Sequence, residues 1–117
     1  LFERFGIADP ELGILCWGSS AGPVREAVER MNAQGAAIAA FVPRILAPLP
    51  LEALNAFLYT CVRVLIVETS FAGQFHRYLR PFVDLPRDTR VLSRSGGKPL
   101  TVAETLEAAA VLQEVTA

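Results

Sequence analysis

Metal-binding side chains and long apolar segments are scarce in this sequence. Two cysteines and one histidine are too few for a tetrahedral site of four cysteines, or of two cysteines and two histidines, and CxxC spacing is missing. The longest segments without a charged residue, 12–24 and 31–43, are shorter than the roughly 20 residues of a transmembrane helix. Charged residues at positions 3, 4, 9 and 11 interrupt the place where a signal peptide would begin. The sequence therefore predicts no metal or iron–sulfur centre within this chain, no membrane span and no signal peptide.

No charge of one sign dominates, because 11 Lys and Arg face 12 Asp and Glu and leave a net charge of −1. This balance provides no global field that would attract nucleic acid or an acidic membrane. Hydrophobic residues make up 52% of the chain and charged residues only 20%, and the mean hydropathy is +0.37. Such a composition predicts that part of the surface packs against another protein or domain.

Positive charge is concentrated between positions 75 and 98. This basic segment has six basic and two acidic residues, a balance of +4, whereas the remaining five basic and ten acidic residues give −5. The basic residues are Arg77, Arg80, Arg87, Arg90, Arg94 and Lys98. The segment predicts either contact with an acidic partner or a phosphate-bearing ligand, or an ordinary solvated face.

The two cysteines, Cys16 and Cys61, lie in or beside apolar, strand-like segments. A buried thiol in such a segment behaves as a small hydrophobic group. We therefore predict packing roles for both.

Strands alternate with helices along the 117 residues, a length that suits one domain. The predicted strands are 13–17, 36–42, 62–67 and 90–93, and the predicted helices run from Pro23 to a stop at Gly35 and over 51–58, 74–80 and 101–114. The pattern predicts an α/β fold in three layers, with a mostly parallel twisted sheet between helices. The β-branched strand 62–67 is expected at its centre. Residues 1–12 are expected to be an irregular lead from a preceding domain, and residues 13–117 to form the α/β domain.

Two strand-to-helix turns are the candidate sites, because ligands of such sheets gather at the carboxyl ends of the strands. The first is Gly18–Gly22, where Ser19 or Ser20 is expected to cap the next helix. Backbone N–H groups of Gly18, Ser19, Ser20 and Gly22 suit an anion, yet the spacing matches neither GxGxxG nor a P-loop. A tight turn built of small residues is therefore the favoured interpretation.

The second turn begins at Glu68 and includes Ser70, Gly73 and Gln74, with His76 and Arg77 close behind. A carboxylate and an imidazole in one turn are compatible with acid–base chemistry. Alternatively, Glu68 accepts backbone hydrogen bonds and His76 is a surface residue. The sequence favours this second, structural interpretation.

Four segments, in order, resemble the C-terminal domain of the alpha subunit of 2-oxoacid:ferredoxin oxidoreductases. They are Gly18–Ala27, Pro48–Pro50, Val64–Arg80 and Gly97–Thr101. The resemblance implies a fold like the C-terminal domain of transketolase. It also implies a parent enzyme that uses thiamine diphosphate, magnesium and iron–sulfur clusters. That enzyme would decarboxylate a 2-oxoacid oxidatively, passing electrons to ferredoxin and the acyl group to coenzyme A.

The same resemblance implies that the cofactors are held elsewhere, because the chain lacks the thiamine signature of Gly-Asp-Gly followed by Asn-Asn. Ser70 stands where the family commonly has Asn, which weakens any polar contact made there. No catalytic residue is therefore assigned to this chain. Turn or interface roles are expected instead for Glu68, Ser70, Gly73, Gln74 and Arg77.

The expected partners are the rest of the alpha subunit and a beta subunit, with ferredoxin reached through the complex, and without nucleic acid or membrane. We expect a fragment of a cytoplasmic enzyme, inactive alone, since the chain starts at Leu1 without Met. Two alternatives stay open. One is a module that binds an anion or nucleotide at Gly18–Gly22, and the other is the equivalent domain of a 2-oxoacid dehydrogenase beta subunit.

Overall fold

One five-stranded sheet lies between two pairs of helices in the computed structural model. The structure describes residues 2–17, 20–44, 48–68, 74–93 and 100–114. The strands are β1 (Phe2–Gly6), β2 (Leu12–Cys16), β3 (Ile38–Pro43), β4 (Arg63–Glu68) and β5 (Thr89–Ser93). The helices are α1 (Ala21–Ala33), α2 (Leu51–Thr60), α3 (Gln74–Leu79) and α4 (Val102–Glu114). The predicted three-layer α/β architecture is thus confirmed.

The strand order is β1-β3-β2-β4-β5, and β2 to β5 all run parallel. The middle of the sheet is therefore β2 and not β4, the strand that its composition favoured. Composition misleads here because β2, β3 and β4 are all buried along their whole length. Burial selects apolar residues in each of them without marking which one lies in the middle.

The first strand corrects the expectation of an irregular lead. β1 pairs antiparallel with β3, from Phe2 opposite Pro43 to Gly6 opposite Ala39. Its five residues lie at the sheet edge and are partly exposed, so the segment lacks the apolar run by which the inner strands are recognised. Its assignment to a preceding domain is a separate matter and stays a prediction.

Each face of the sheet has its own apolar core, because side chains alternate along the strands. On one face, α1 and α4 cover Ile14 and Cys16 of β2. On the other, α2 and α3 cover Leu15. The two thiols therefore lie on opposite faces, Cys16 in the first core and Cys61 in the second.

The helix boundaries follow local chemistry that the sequence predicts. α1 buries Val24, Ala27 and Val28 and stops just before Gly35, whose φ of +94° suits glycine. α4 begins with a capping box. The Thr101 hydroxyl accepts the Glu104 N–H at 3.1 Å, and the Glu104 carboxylate accepts the Thr101 N–H at 3.1 Å.

Candidate functional site: the carboxyl ends of the central strands

The end of β2 is joined to the end of β4 through Ser20. Ser20 is buried, and its hydroxyl donates to the Trp17 carbonyl at 2.9 Å and lies 3.5 Å from the Val67 carbonyl. It precedes α1 but makes no side-chain cap, so the predicted capping role is wrong for Ser20. The reason is local, since a backbone at φ −76° and ψ −10° is not the extended conformation from which a serine hydroxyl turns back to the helix N–H groups.

The other small residues of this turn give little support for a ligand cradle. Gly22 lies inside α1, and a Cβ built there meets no atom within 4 Å. The structure therefore gives no steric reason for glycine at this position. Gly18 and Ser19 lie outside the described residues.

Glu68 accepts a backbone hydrogen bond, which is the kind of contact that the structural interpretation predicts. It ends β4 with 2% of its surface exposed, and its Oε2 accepts the backbone N–H of His76 at 3.0 Å. That N–H belongs to the first turn of α3, where backbone donors lack intrahelical partners. Glu68 therefore fixes the start of α3 against the sheet.

The remaining predicted residues of this turn divide into two groups. Arg77 is exposed on α3, and Gln74 is its first residue. Ser70 and Gly73 lie outside the described residues. The turn and interface roles expected for all four stay predictions.

A pair of aromatic rings closes the same end of the sheet, and sequence reasoning missed it. Trp17 follows β2 with 41% of its surface exposed, and its ring stacks on buried Phe75 of α3 with centroids 6.4 Å apart. The two residues are distant in sequence, so no spacing pattern connects them. The exposed indole leaves an apolar surface next to both turns.

A cluster of opposite charges beside this end was also missed. The Glu3 carboxylate binds Arg25 of α1 at 2.6 Å and also binds Arg44, which follows β3. The cluster depends on β1, whose pairing brings Glu3 to the carboxyl end of β3. Arg25 and Arg44 are thus already neutralised in part by Glu3, which leaves them less available to an anion.

The basic segment does not form one continuous patch in the described part of the chain. Arg80 lines a hollow with Asn55 and Tyr59 of α2, whereas Arg90 lines a groove between β5 and α4. Arg94 and Lys98 lie outside the described residues. Separation over two surfaces argues against a single phosphate-binding face.

Burial controls the chemistry of the two thiols. Burial raises the pKa of Cys16 to about 12 and also raises the pKa of Cys61. The thiolate is the nucleophilic and metal-binding form, so both groups are inert near neutral pH. Across the described residues, no three His, Cys, Asp or Glu side chains come together as a metal site. With the thiols on opposite faces of the sheet, the described residues do not fit an iron–sulfur cluster or the magnesium of thiamine diphosphate.

We expect neither thiol to react with a water-soluble disulfide reagent in the native chain at pH 8, and both to react after unfolding in urea. The folded thiol of Cys16 keeps its proton between pH 9 and about 12, where an unfolded thiol loses it. The free energy of unfolding should therefore fall as the pH rises through that window. Reagent titration and urea unfolding at several pH values measure both effects. Rapid modification of the native chain at pH 8 would contradict the burial.

The sheet order and helix layers define a class of fold. A split-gene transketolase, described as an inactive beta4 tetramer, aligns over 97% of this chain and 40% of its own with a TM-score of 0.70 and 16% identity. The alpha chain of a probable 2-oxoacid ferredoxin oxidoreductase from Thermoplasma acidophilum aligns over 96% and 97% with a TM-score of 0.61 and 20% identity. These likenesses confirm the predicted fold, that of a transketolase C-terminal domain.

The family follows from a more specific match. The family model of the pyruvate:ferredoxin oxidoreductase core domain II matches residues 10–105. The chain belongs to this family, and the resemblance drawn from the sequence is confirmed. The 2-oxoglutarate:ferredoxin oxidoreductase from Magnetococcus marinus, solved with 2-oxoglutarate, coenzyme A and succinyl-CoA bound, is 30% identical with a TM-score of 0.88.

The match with the Magnetococcus enzyme covers 96% of this chain but only 19% of that one. This chain thus corresponds to about a fifth of that relative. No curated protein matches the chain. No helix among the described residues has the length and apolar character needed to cross a membrane.

Proposed function

We propose that this chain is an assembly domain of a thiamine-diphosphate-dependent 2-oxoacid:ferredoxin oxidoreductase and has no catalytic activity alone. The parent enzyme would oxidatively decarboxylate a 2-oxoacid to an acyl-CoA, with iron–sulfur clusters and ferredoxin receiving the electrons, in the cytoplasm. Its thiamine diphosphate, magnesium and clusters would be held by other domains of the alpha subunit or by a beta subunit. Membership of the core domain II family supports this proposal over the alternative that the chain is a domain of a 2-oxoacid dehydrogenase beta subunit.

The observation that carries the proposal is the hydrogen bond from the His76 backbone to buried Glu68. Glu68 is the one carboxylate at the carboxyl ends of β2 and β4 among the described residues, and this bond uses it to hold α3. A general acid or base must instead reach a substrate proton, directly or through one water. Ser20 is likewise engaged with backbone carbonyls. Among the described residues, the hydrogen bonds of Glu68 and Ser20 at this end are thus made to the protein's own backbone.

Apolar surface supports a role in packing against partners. Tyr59 is 94% exposed, and Val62, Phe82 and Val111 are each about half exposed. Large apolar side chains left open to solvent are typical of surfaces that other domains or subunits cover. The proposal therefore assigns these surfaces to contact with the rest of the alpha subunit and with a beta subunit.

Calorimetric titration separates the assembly role from the anion-binding alternative. We expect coenzyme A, ATP and thiamine diphosphate to bind the chain no more tightly than about millimolar, the weak end of the affinity scale. Gly22→Glu, which puts a carboxylate into the first turn of α1, should leave these titrations unchanged. A micromolar affinity that disappears in Gly22→Glu would establish the anion-binding module and reject the assembly role.

The Glu68 hydrogen bond has its own test in Glu68→Gln. A neutral amide keeps the shape but weakens the bond to the His76 N–H, so we expect the free energy of unfolding to fall by about 1 kcal/mol. Glu29→Gln is the matched control, because Glu29 is exposed on α1 and its loss should be close to neutral. Urea unfolding measures both variants. Equal, near-zero changes would contradict a structural role for Glu68.

A further inference from the structure

The outer edge of β5 carries a groove that none of the roles above uses. β5 is the last strand of the sheet, and no described strand covers its outer side. The groove between β5 and α4 encloses about 490 Å³ and is lined mainly by apolar side chains. Val91 and Val111 line it with 39% and 56% of their surfaces exposed. It thus combines an open strand edge with an apolar wall.

The backbone of β5 presents its free hydrogen-bonding groups in a symmetric pattern. The Val64 N–H donates to the Asp88 carbonyl at 3.1 Å, and Val64 is opposite Thr89 in the parallel pairing of β4 with β5. In a parallel ladder, the residues of β5 that bond β4 therefore alternate with residues that point away from it. Those pointing to the free edge are Thr89, Val91 and Ser93, which lie evenly about Val91.

Edge strands usually carry features that prevent pairing, such as charges, prolines or bulges. The opposite edge has them, because β1 contains Glu3 and Arg4 and ends at Gly6 with φ +103°. β5 has one charged residue, Arg90, and no proline. The two edges of the sheet are thus unequally protected, and β5 is the one suited to accept another strand.

In two copies of the chain, a basic residue of one β5 groove can pair with an acidic residue of the other. Arg90 and Glu107 both line it and are exposed, and neither forms an ion pair in the described part of the chain. In an antiparallel pair centred on Val91, Arg90 of one copy lies opposite Leu92 of the other. Its guanidinium then lies beside the Glu107 of that other copy. A two-fold axis repeats this contact, so each copy supplies Arg90 to one such pair and Glu107 to the other. The third charged residue of the groove lining, Glu104, belongs to the capping box with Thr101.

We propose that a second copy of this chain occupies the groove, with the two β5 strands paired antiparallel about a two-fold axis at Val91. The pairing satisfies the outward N–H and C=O groups of Thr89, Val91 and Ser93 and joins the two sheets into one. Val111 becomes covered on the α4 side of the sheet, the two Val91 side chains lie opposite each other on its other side, and Arg90 pairs with Glu107 across the axis. The inference deepens the assembly role proposed above and rests on it by naming one assembly surface and its partner.

Sedimentation of the 117-residue chain over a range of micromolar concentrations tests the proposal. We expect a monomer–dimer equilibrium. Arg90→Glu and Glu107→Arg should each raise the dissociation constant roughly tenfold, because each places like charges together at two symmetric positions. An equimolar mixture of the two variants should recover the wild-type constant, because each heterodimer restores opposite charges. Circular dichroism confirms that each variant is folded, and Arg87→Glu, an equal charge reversal at an exposed position outside the groove lining, should leave the constant unchanged.

A chain that is monomeric at every concentration would overturn the dimer. So would a dimer that both reversals leave unchanged. The assembly role fails separately, since its test is the ligand titration. A monomeric chain that binds none of the three ligands would reject the dimer alone, whereas a dimer with micromolar affinity for one of them would reject the assembly role alone.

Discussion

Gly13→Ala should lower the free energy of unfolding by about 2–3 kcal/mol, the scale of overpacking in a closed core. Gly13 lies in β2, the middle strand, and faces the core under α2. A Cβ built there lies 2.3 Å from the Cys61 sulfur and 3.0 Å from a ring carbon of Phe57. A side chain at position 13 would overlap the Cys61 thiol and the Phe57 ring, so this position requires glycine.

The identity of the obstructing atom can be tested by removing it. In Gly13→Ala/Cys61→Ala the sulfur is absent, so the double variant should regain most of the stability that Gly13→Ala loses. The two substitutions should therefore be strongly non-additive, as expected for residues in contact. Urea unfolding of the two single variants and the double variant gives the coupling energy. Strictly additive losses would show that the sulfur is not what excludes a side chain at Gly13.

Gly6→Ala should release β1 from the sheet. Gly6 has φ +103°, and a Cβ built there lies 2.4 Å from the Ile38 carbonyl oxygen and 2.6 Å from the Ala39 Cα. Both obstructing atoms are backbone, so no side-chain rotation relieves the clash. We expect positive-φ strain and the clash together to lower the free energy of detaching β1 from the sheet by about 2–3 kcal/mol.

Hydrogen exchange distinguishes this local release from general unfolding. Amides that join β1 to β3 should lose protection, while those of β2 and β4 should keep it. Gly35→Ala is the matched control, since its φ is also positive, at +94°, but a Cβ there meets no atom within 4 Å. Gly35→Ala should therefore lower the free energy of unfolding by about 1 kcal/mol, through backbone strain alone. Equal protection of β1 in Gly6→Ala and wild type would contradict the account.

The sequence predicts most of the fold because its inner elements carry strong local signals. Strand 62–67 is apolar apart from Arg63, Gly35 stops α1, and Thr101 with Glu104 begins α4, as the structure confirms. β1 was not predicted because its pairing with β3 is non-local and its residues are partly exposed. The central position of β2 depends on which strands become neighbours. A local sequence pattern does not specify the order of strands in a sheet.

The candidate site was predicted less completely than the fold. The backbone hydrogen bond that Glu68 accepts was predicted from its place at the end of a buried strand. The Trp17 and Phe75 stack and the Glu3 contacts with Arg25 and Arg44 join distant parts of the chain, so local spacing has no signal for them. The helix cap was predicted for Ser19 or Ser20 on residue type alone, whereas the backbone conformation of Ser20 directs its hydroxyl towards the strands.

Turnover of a complete enzyme that carries Glu68→Gln in this domain tests the central claim most directly. The rate per assembled complex, with assembly verified by gel filtration, should stay close to that of the wild type. In the proposed role, Glu68 holds the start of α3 and touches no reacting group. A loss of roughly a hundredfold or more in a normally assembled variant, the scale of removing a catalytic acid or base, would place this turn at the reacting centre and contradict the assembly role.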